Sequence, residues 1–68
     1  MKIMVNGKKI AETITNRSMT IAEAMYCAGW DINDEADCRE GYENGVEGFC
    51  LDDDGGYWFD IEAAEMVY

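Results

Sequence analysis

The sequence predicts a single small α+β domain, spanning residues 1–68, built as ββα followed by a second β-hairpin. Three stretches carry that expectation. MKIMVNGKKIAETI, residues 1–14, alternates apolar and polar residues around an Asn-Gly pair, the pattern of two strands joined by a two-residue turn. Thr20 and Glu23 then open a run whose apolar residues recur at helical spacing. FCLDDDGGYWFDI, residues 49–61, repeats the strand pattern around an acidic, glycine-containing turn.

At 68 residues, with 49% hydrophobic residues and no proline, the chain is foldable but limited to a thin core. A chain of this size buries only about 60% of its unfolded surface. There is little room for the deep, water-excluding pocket that most enzymes need.

In the first hairpin Asn6-Gly7 favours a type I′ turn, since both residues tolerate positive φ. That turn pairs Val5 with Lys8 and Ile3 with Ile10. One face then holds Ile3, Val5, Ile10 and Ile14 as core, and the other Lys2, Met4, Lys9, Ala11 and Thr13. The helix that follows has both ends marked. Thr20 and Glu23 form a capping box, and Gly29 supplies a left-handed stop. Ile21, Ala24, Met25 and Ala28 make its apolar face, with Cys27 read as a small core residue. Trp30 is expected to fold back over the helix end as a plug.

Residues 31–48, DINDEADCREGYENGVEG, predict a second short helix, capped by Asp34 or Asn33 and running through Ala36, Cys38 and Arg39 towards Gly41. Asn44-Gly45 is a further turn signal. In the second hairpin Phe49, Leu51, Tyr57, Phe59 and Ile61 are expected in the core, with Cys50, Asp52, Trp58 and Asp60 on the opposite, wetter face. The tail EAAEMVY reads as either a last helical turn or a closing strand.

Charge is the most informative property. Fifteen acids against five bases leave a net charge of -10, unevenly placed. Residues 1–30 carry Lys2, Lys8, Lys9 and Arg17 against Glu12 and Glu23, for +2, whereas residues 31–68 carry thirteen acids against Arg39 alone, for -12. Concentrated negative charge repels nucleic acids and anionic membranes and steers basic proteins inward. No basic stripe is present to hold phosphates, so direct nucleic-acid binding is not expected.

Cys27, Cys38 and Cys50 are widely spaced, with no C-x-x-C pair, and the chain has no histidine. A zinc site is therefore not expected. With no leader-like or long apolar run, the three cysteines read as thiols in a reducing cytoplasm. The acidic turn fails as an EF-hand: placing Gly55 at position six puts Cys50 at position one and Ile61 at position twelve. No cofactor is expected. No serine or cysteine lies in a recognisable nucleophile context, and with thirteen acids in the second half any close carboxylate pair discriminates nothing, so catalysis is not expected.

The opening segments MKIMVNGKKIAETI and MTIAEAMYCAGWDI resemble the first half of β-grasp domains, in which ubiquitin-like sulfur carriers and plant-type ferredoxins often begin with a strand, V-N-G-K, a second strand and a T-I-x-E-A helix ending in A-G. The likeness covers residues 1–32 and implies a fold more than an activity. Sulfur carriers need a free C-terminal Gly-Gly, whereas Gly55-Gly56 is internal here and the sequence ends in Met66-Val67-Tyr68. Ferredoxins need four clustered cysteines. In size, acidity and single-domain form the chain also resembles the small anti-CRISPR and anti-restriction proteins of phages and mobile elements.

The expected function is accordingly that of a small cytoplasmic inhibitor that occupies the basic nucleic-acid-binding surface of a larger protein, a CRISPR effector being the most specific case. Its expected contact surface comprises Asp31, Asp34, Glu35, Asp37, Glu40, Glu43, Glu47, Asp52, Asp53, Asp54 and Asp60, with Tyr42, Tyr57 and Trp58 as aromatic anchors, Tyr57 also being a candidate for the core. The competing expectation is an adaptor module whose acids only keep it soluble, binding through an apolar patch around Met4, Trp30 or Trp58.

Overall fold

Asn6 and Gly7 take φ of 52° and 78°, the left-handed pair that a type I′ turn requires, and they join strand β1 (Lys2–Val5) to strand β2 (Lys8–Glu12). The computed structural model describes all residues, 1–68. Val5 pairs with Lys8 as the turn demands, but Ile3 sits opposite Ala11, because the register shifts between Ile3 and Met4. Ile10 is the extra residue of a β-bulge, and a bulge reverses the inward and outward parity of everything beyond it. Ile10 and Ala11 therefore both pack partly against the core. Thr13 turns inward and Ile14, expected in the core, is 76% exposed.

Helix α1 (Ile21–Cys27) begins with the expected capping box: the Glu23 N–H donates to Thr20 Oγ1 at 3.1 Å, and the Thr20 N–H to Glu23 Oε1 at 3.1 Å. It ends in a Schellman motif, in which the Gly29 N–H bonds to Tyr26 O and the Trp30 N–H to Met25 O. This reversal folds Trp30 back onto the core, where its ring lies 5.1 Å from that of Phe49. Ala24 and Met25 are fully buried, but Cys27 is exposed. Two residues beyond Met25, it lies about 200° around the helix, on the far side from the core.

Helix α2 (Glu35–Glu43) is capped by Asp34, whose side chain accepts from the Ala36 N–H at 3.0 Å. It continues two residues beyond Gly41 and closes in a second Schellman motif through Gly45 and Val46. Strands β3 (Phe49–Leu51) and β4 (Tyr57–Phe59) form the second hairpin, with Phe49 opposite Phe59 and Cys50 opposite Trp58. The tail realises both of its readings. Ile61–Ala63 makes one 3₁₀ turn, capped by Asp60, and β5 (Ala64–Val67) then returns antiparallel to β1.

The result is a three-stranded sheet, in order β2-β1-β5, and a separate two-stranded sheet, β3-β4. Helix α1 contacts β1 and β5, whereas α2 covers the second hairpin. The core joins the two units through Ile3, Val5, Ala24, Met25, Cys38, Phe49, Phe59 and Ala64. Leu51 and Ile61, both expected inside, are each 43% exposed. Leu51 lies beside the hairpin turn, in a sheet that pairs with no third strand, and Ile61 follows the end of β4, where strand alternation has given way to the 3₁₀ turn.

Candidate functional site

Helix α2 buries Cys38 and Gly41, which at 3.6 residues per turn leaves Glu35, Arg39, Glu40 and Glu43 on its solvent side. Arg39 Nε pairs with Glu43 Oε2 at 3.4 Å. Glu35 and Glu40 have no hydrogen-bonding or ionic partner within the chain and are exposed.

Many of the other acids serve the backbone. The Asp31 N–H donates to Asp37 Oδ2 at 2.9 Å, and Asp31 Oδ1 accepts from the Asn33 N–H, so these two carboxylates shape the loop leading into α2. Asp34 caps α2, and Asp60 caps the 3₁₀ turn by accepting from the Glu62 N–H at 3.2 Å. In the second hairpin Asp52 Oδ1 accepts from the Asp54 N–H at 3.0 Å and the Gly56 N–H at 2.8 Å. Asp52 is thus the turn's internal brace, whereas Asp53 and Asp54 project from it with free carboxylates. Glu47 is drawn to the first hairpin, accepting from Asn6 Nδ2 at 3.2 Å and facing Lys8 Nζ at 3.5 Å. The Asn6 amide and then the Lys8 charge hold its carboxyl below the usual range. Of the eleven acids expected to form a contact surface, Glu35, Glu40, Asp53 and Asp54 are the ones whose carboxylates make no hydrogen bond or ion pair within the chain, although Glu35 also lies in the first turn of α2, where a negative charge suits the helix dipole.

The three aromatic anchors divide between the two sides of the second hairpin. Tyr42 rests against Tyr57, with ring centroids 5.7 Å apart, on the side of the hairpin that α2 covers. Trp58 projects from the opposite side beside Cys50 and is 44% exposed. The Cys50 thiol is pushed up by partial burial and then by the neighbouring Asp60 charge. Between the two units lies an open concavity of about 330 Å³, bordered by Asn6, Tyr42, Val46, Glu47, Cys50 and Asp60. Met4 and Trp30, named for an apolar patch, are half-buried. Met4 lies between Lys9 and Glu65 on a sheet face that also carries Lys2 and Glu12.

One surface shares only Asp31 with the expected site. Met19, Ala22, Tyr26 and Cys27 line a groove beside α1, with Glu23 and Asp31 at its margin. The sequence signal for it is two i,i+4 pairs, Ala22 with Tyr26 and Glu23 with Cys27, offset from the core stripe.

No group of three or more acidic or thiol side chains is arranged to hold a metal ion, and no helix is long and apolar enough to cross a membrane. Comparison with family models, curated proteins and solved structures yields no match.

Proposed function

We propose that this protein is a small acidic inhibitor that occupies the basic nucleic-acid-binding surface of a larger protein, an anti-CRISPR role being its most specific form. The supporting observation is unpaired charge on a defined scaffold. Glu35 and Glu40 on α2, with Asp53 and Asp54 at the hairpin tip, are exposed and without internal cations, in a half-chain of net charge -12. The long axis of the molecule is 35 Å and its net charge -10. That averages one charge per about 3.5 Å, about half the density of a duplex, which carries one per about 1.7 Å of axis counting both strands. A Lys- and Arg-lined channel that holds nucleic acid by backbone electrostatics would attract this acidic half through the same long-range charge, concentrated in residues 31–68. Trp58 adds contact area that salt does not screen.

The test is affinity capture from host lysate at low salt, followed by a salt step and competition with duplex DNA. The expected partner is a nucleic-acid-binding protein that moderate salt releases, that DNA displaces, and whose activity the protein inhibits. The quadruple variant Glu35→Gln, Glu40→Lys, Asp53→Lys, Asp54→Lys spares every carboxylate that braces the backbone and places no cation at the N-terminus of α2, so it should fold and lose inhibition. Full potency in that folded variant would overturn the proposal. A salt-resistant partner unrelated to nucleic acids would favour the adaptor reading.

A further inference from the structure

Tyr26 is 67% exposed, yet it does not stand alone on a convex surface. It forms one wall of a groove of about 350 Å³, whose apolar lining comes from Met19, Ala22 and Cys27. That volume lies at the lower end of the roughly 300–1,000 Å³ of ligand pockets, and the groove is open, so it suits side chains of a larger partner better than an enclosed small molecule.

The margin is negative and lacks an internal cation. Glu23 and Asp31 border the groove, and the chain's three ion pairs engage Lys8, Lys9 and Arg39 elsewhere. Arg17 stacks over the Tyr68 ring at 4.4 Å. The last turn of α1 carries no basic residue, so its carbonyl end adds to the negative potential.

We propose that this groove docks a basic amphipathic segment of a partner protein, seating a large apolar side chain against Tyr26 and Met19 with flanking Lys or Arg towards Glu23 and Asp31. The occupant follows from charge complementarity: an anionic peptide meets both carboxylates, and a second copy of this chain brings its own net charge of -10. Of the acids expected in the inhibitor's contact surface the groove uses only Asp31, and it uses none of Glu35, Glu40, Asp53 and Asp54, on which the inhibitor reading rests.

The experiment is a titration of ¹⁵N-labelled protein, followed by NMR, with a twelve-residue amphipathic Leu/Lys peptide. A Gly/Lys peptide of equal charge and a Leu/Glu peptide of equal apolarity are the controls. The Leu/Lys peptide is expected to produce saturable shifts at Ala22, Tyr26 and Cys27, with binding about tenfold or more weaker for Tyr26→Ala. Glu23→Gln with Asp31→Asn keeps the oxygens that accept local hydrogen bonds while removing both charges, and is expected to weaken binding and flatten its salt dependence. Equal shifts from the Gly/Lys peptide, shifts centred on α2 and the 52–54 turn, or no saturable shift would overturn the proposal. So would sedimentation showing a dimer that covers Tyr26.

Discussion

Gly41 lies against the ring of Phe49 so closely that a Cβ added to it would fall 2.5 Å from Cδ2. The contact allows α2 to settle onto the second hairpin, where Phe49 and Phe59 lie 4.8 Å apart between ring centroids. Gly48 receives Phe59 in the same way, since a Cβ there would lie 2.7 Å from its Cε1. At an open helical position Gly→Ala stabilises by about 1 kcal/mol. Here overpacking wins, and Gly41→Ala is expected to destabilise by about 1–3 kcal/mol. Only ten of 68 residues are buried, so a loss of that size is a large share of the stability. Urea denaturation measures it, and an unchanged or raised midpoint would show that the contact is slack.

Asp52 and Asp54 share a turn but are expected to behave differently. Asp52 accepts two backbone N–H groups, from Asp54 and Gly56, and its removal leaves the turn without its brace. Asp52→Ala should destabilise by about 1 kcal/mol, and Asp52→Asn, which keeps the accepting oxygen, should recover most of that. Asp54→Ala should remain within about 0.5 kcal/mol of the parent. Thermal melts of the three variants in one buffer decide the matter: equal losses for Asp52→Ala and Asp54→Ala would contradict this division of labour.

What was legible in the sequence was local. Asn6-Gly7, Thr20 with Glu23, Gly29 and Asp34 each act within a few residues of themselves, and each takes its expected place. The bulge at Ile10 was not legible, because it depends on what β1 must align with across the sheet, and it carried Ile14 from the expected core to the surface. The return of β5 onto β1 joins residues some sixty positions apart, with no turn chemistry to announce it. The acids divide in the same way. Their number and asymmetry are plain in the sequence, but which carboxylates are occupied by backbone N–H groups depends on the turns that Asp31, Asp52 and Asp60 make.

The thiols offer a further separation. Cys27 is exposed, Cys50 partly covered, and Cys38 is 1% exposed, with its Sγ 3.4 Å from Ile32 O. Burial, and then the Asp37 charge, push the Cys38 thiol up from its ordinary range, and the thiolate is the reactive form. A disulfide reagent added to native protein at neutral pH should therefore modify Cys27 first, Cys50 more slowly and Cys38 only through unfolding, with all three reacting readily in denaturant. Cys27→Ser should abolish the fast phase. Because the folded state holds the Cys38 proton to higher pH than the unfolded chain does, stability should fall as pH rises past the unfolded thiol's value, and Cys38→Ala should show less of that alkaline loss. Native Cys38 reacting as fast as Cys27 would mean that α2 opens freely from the second hairpin, and the packing of Gly41 on Phe49 would then lose its significance.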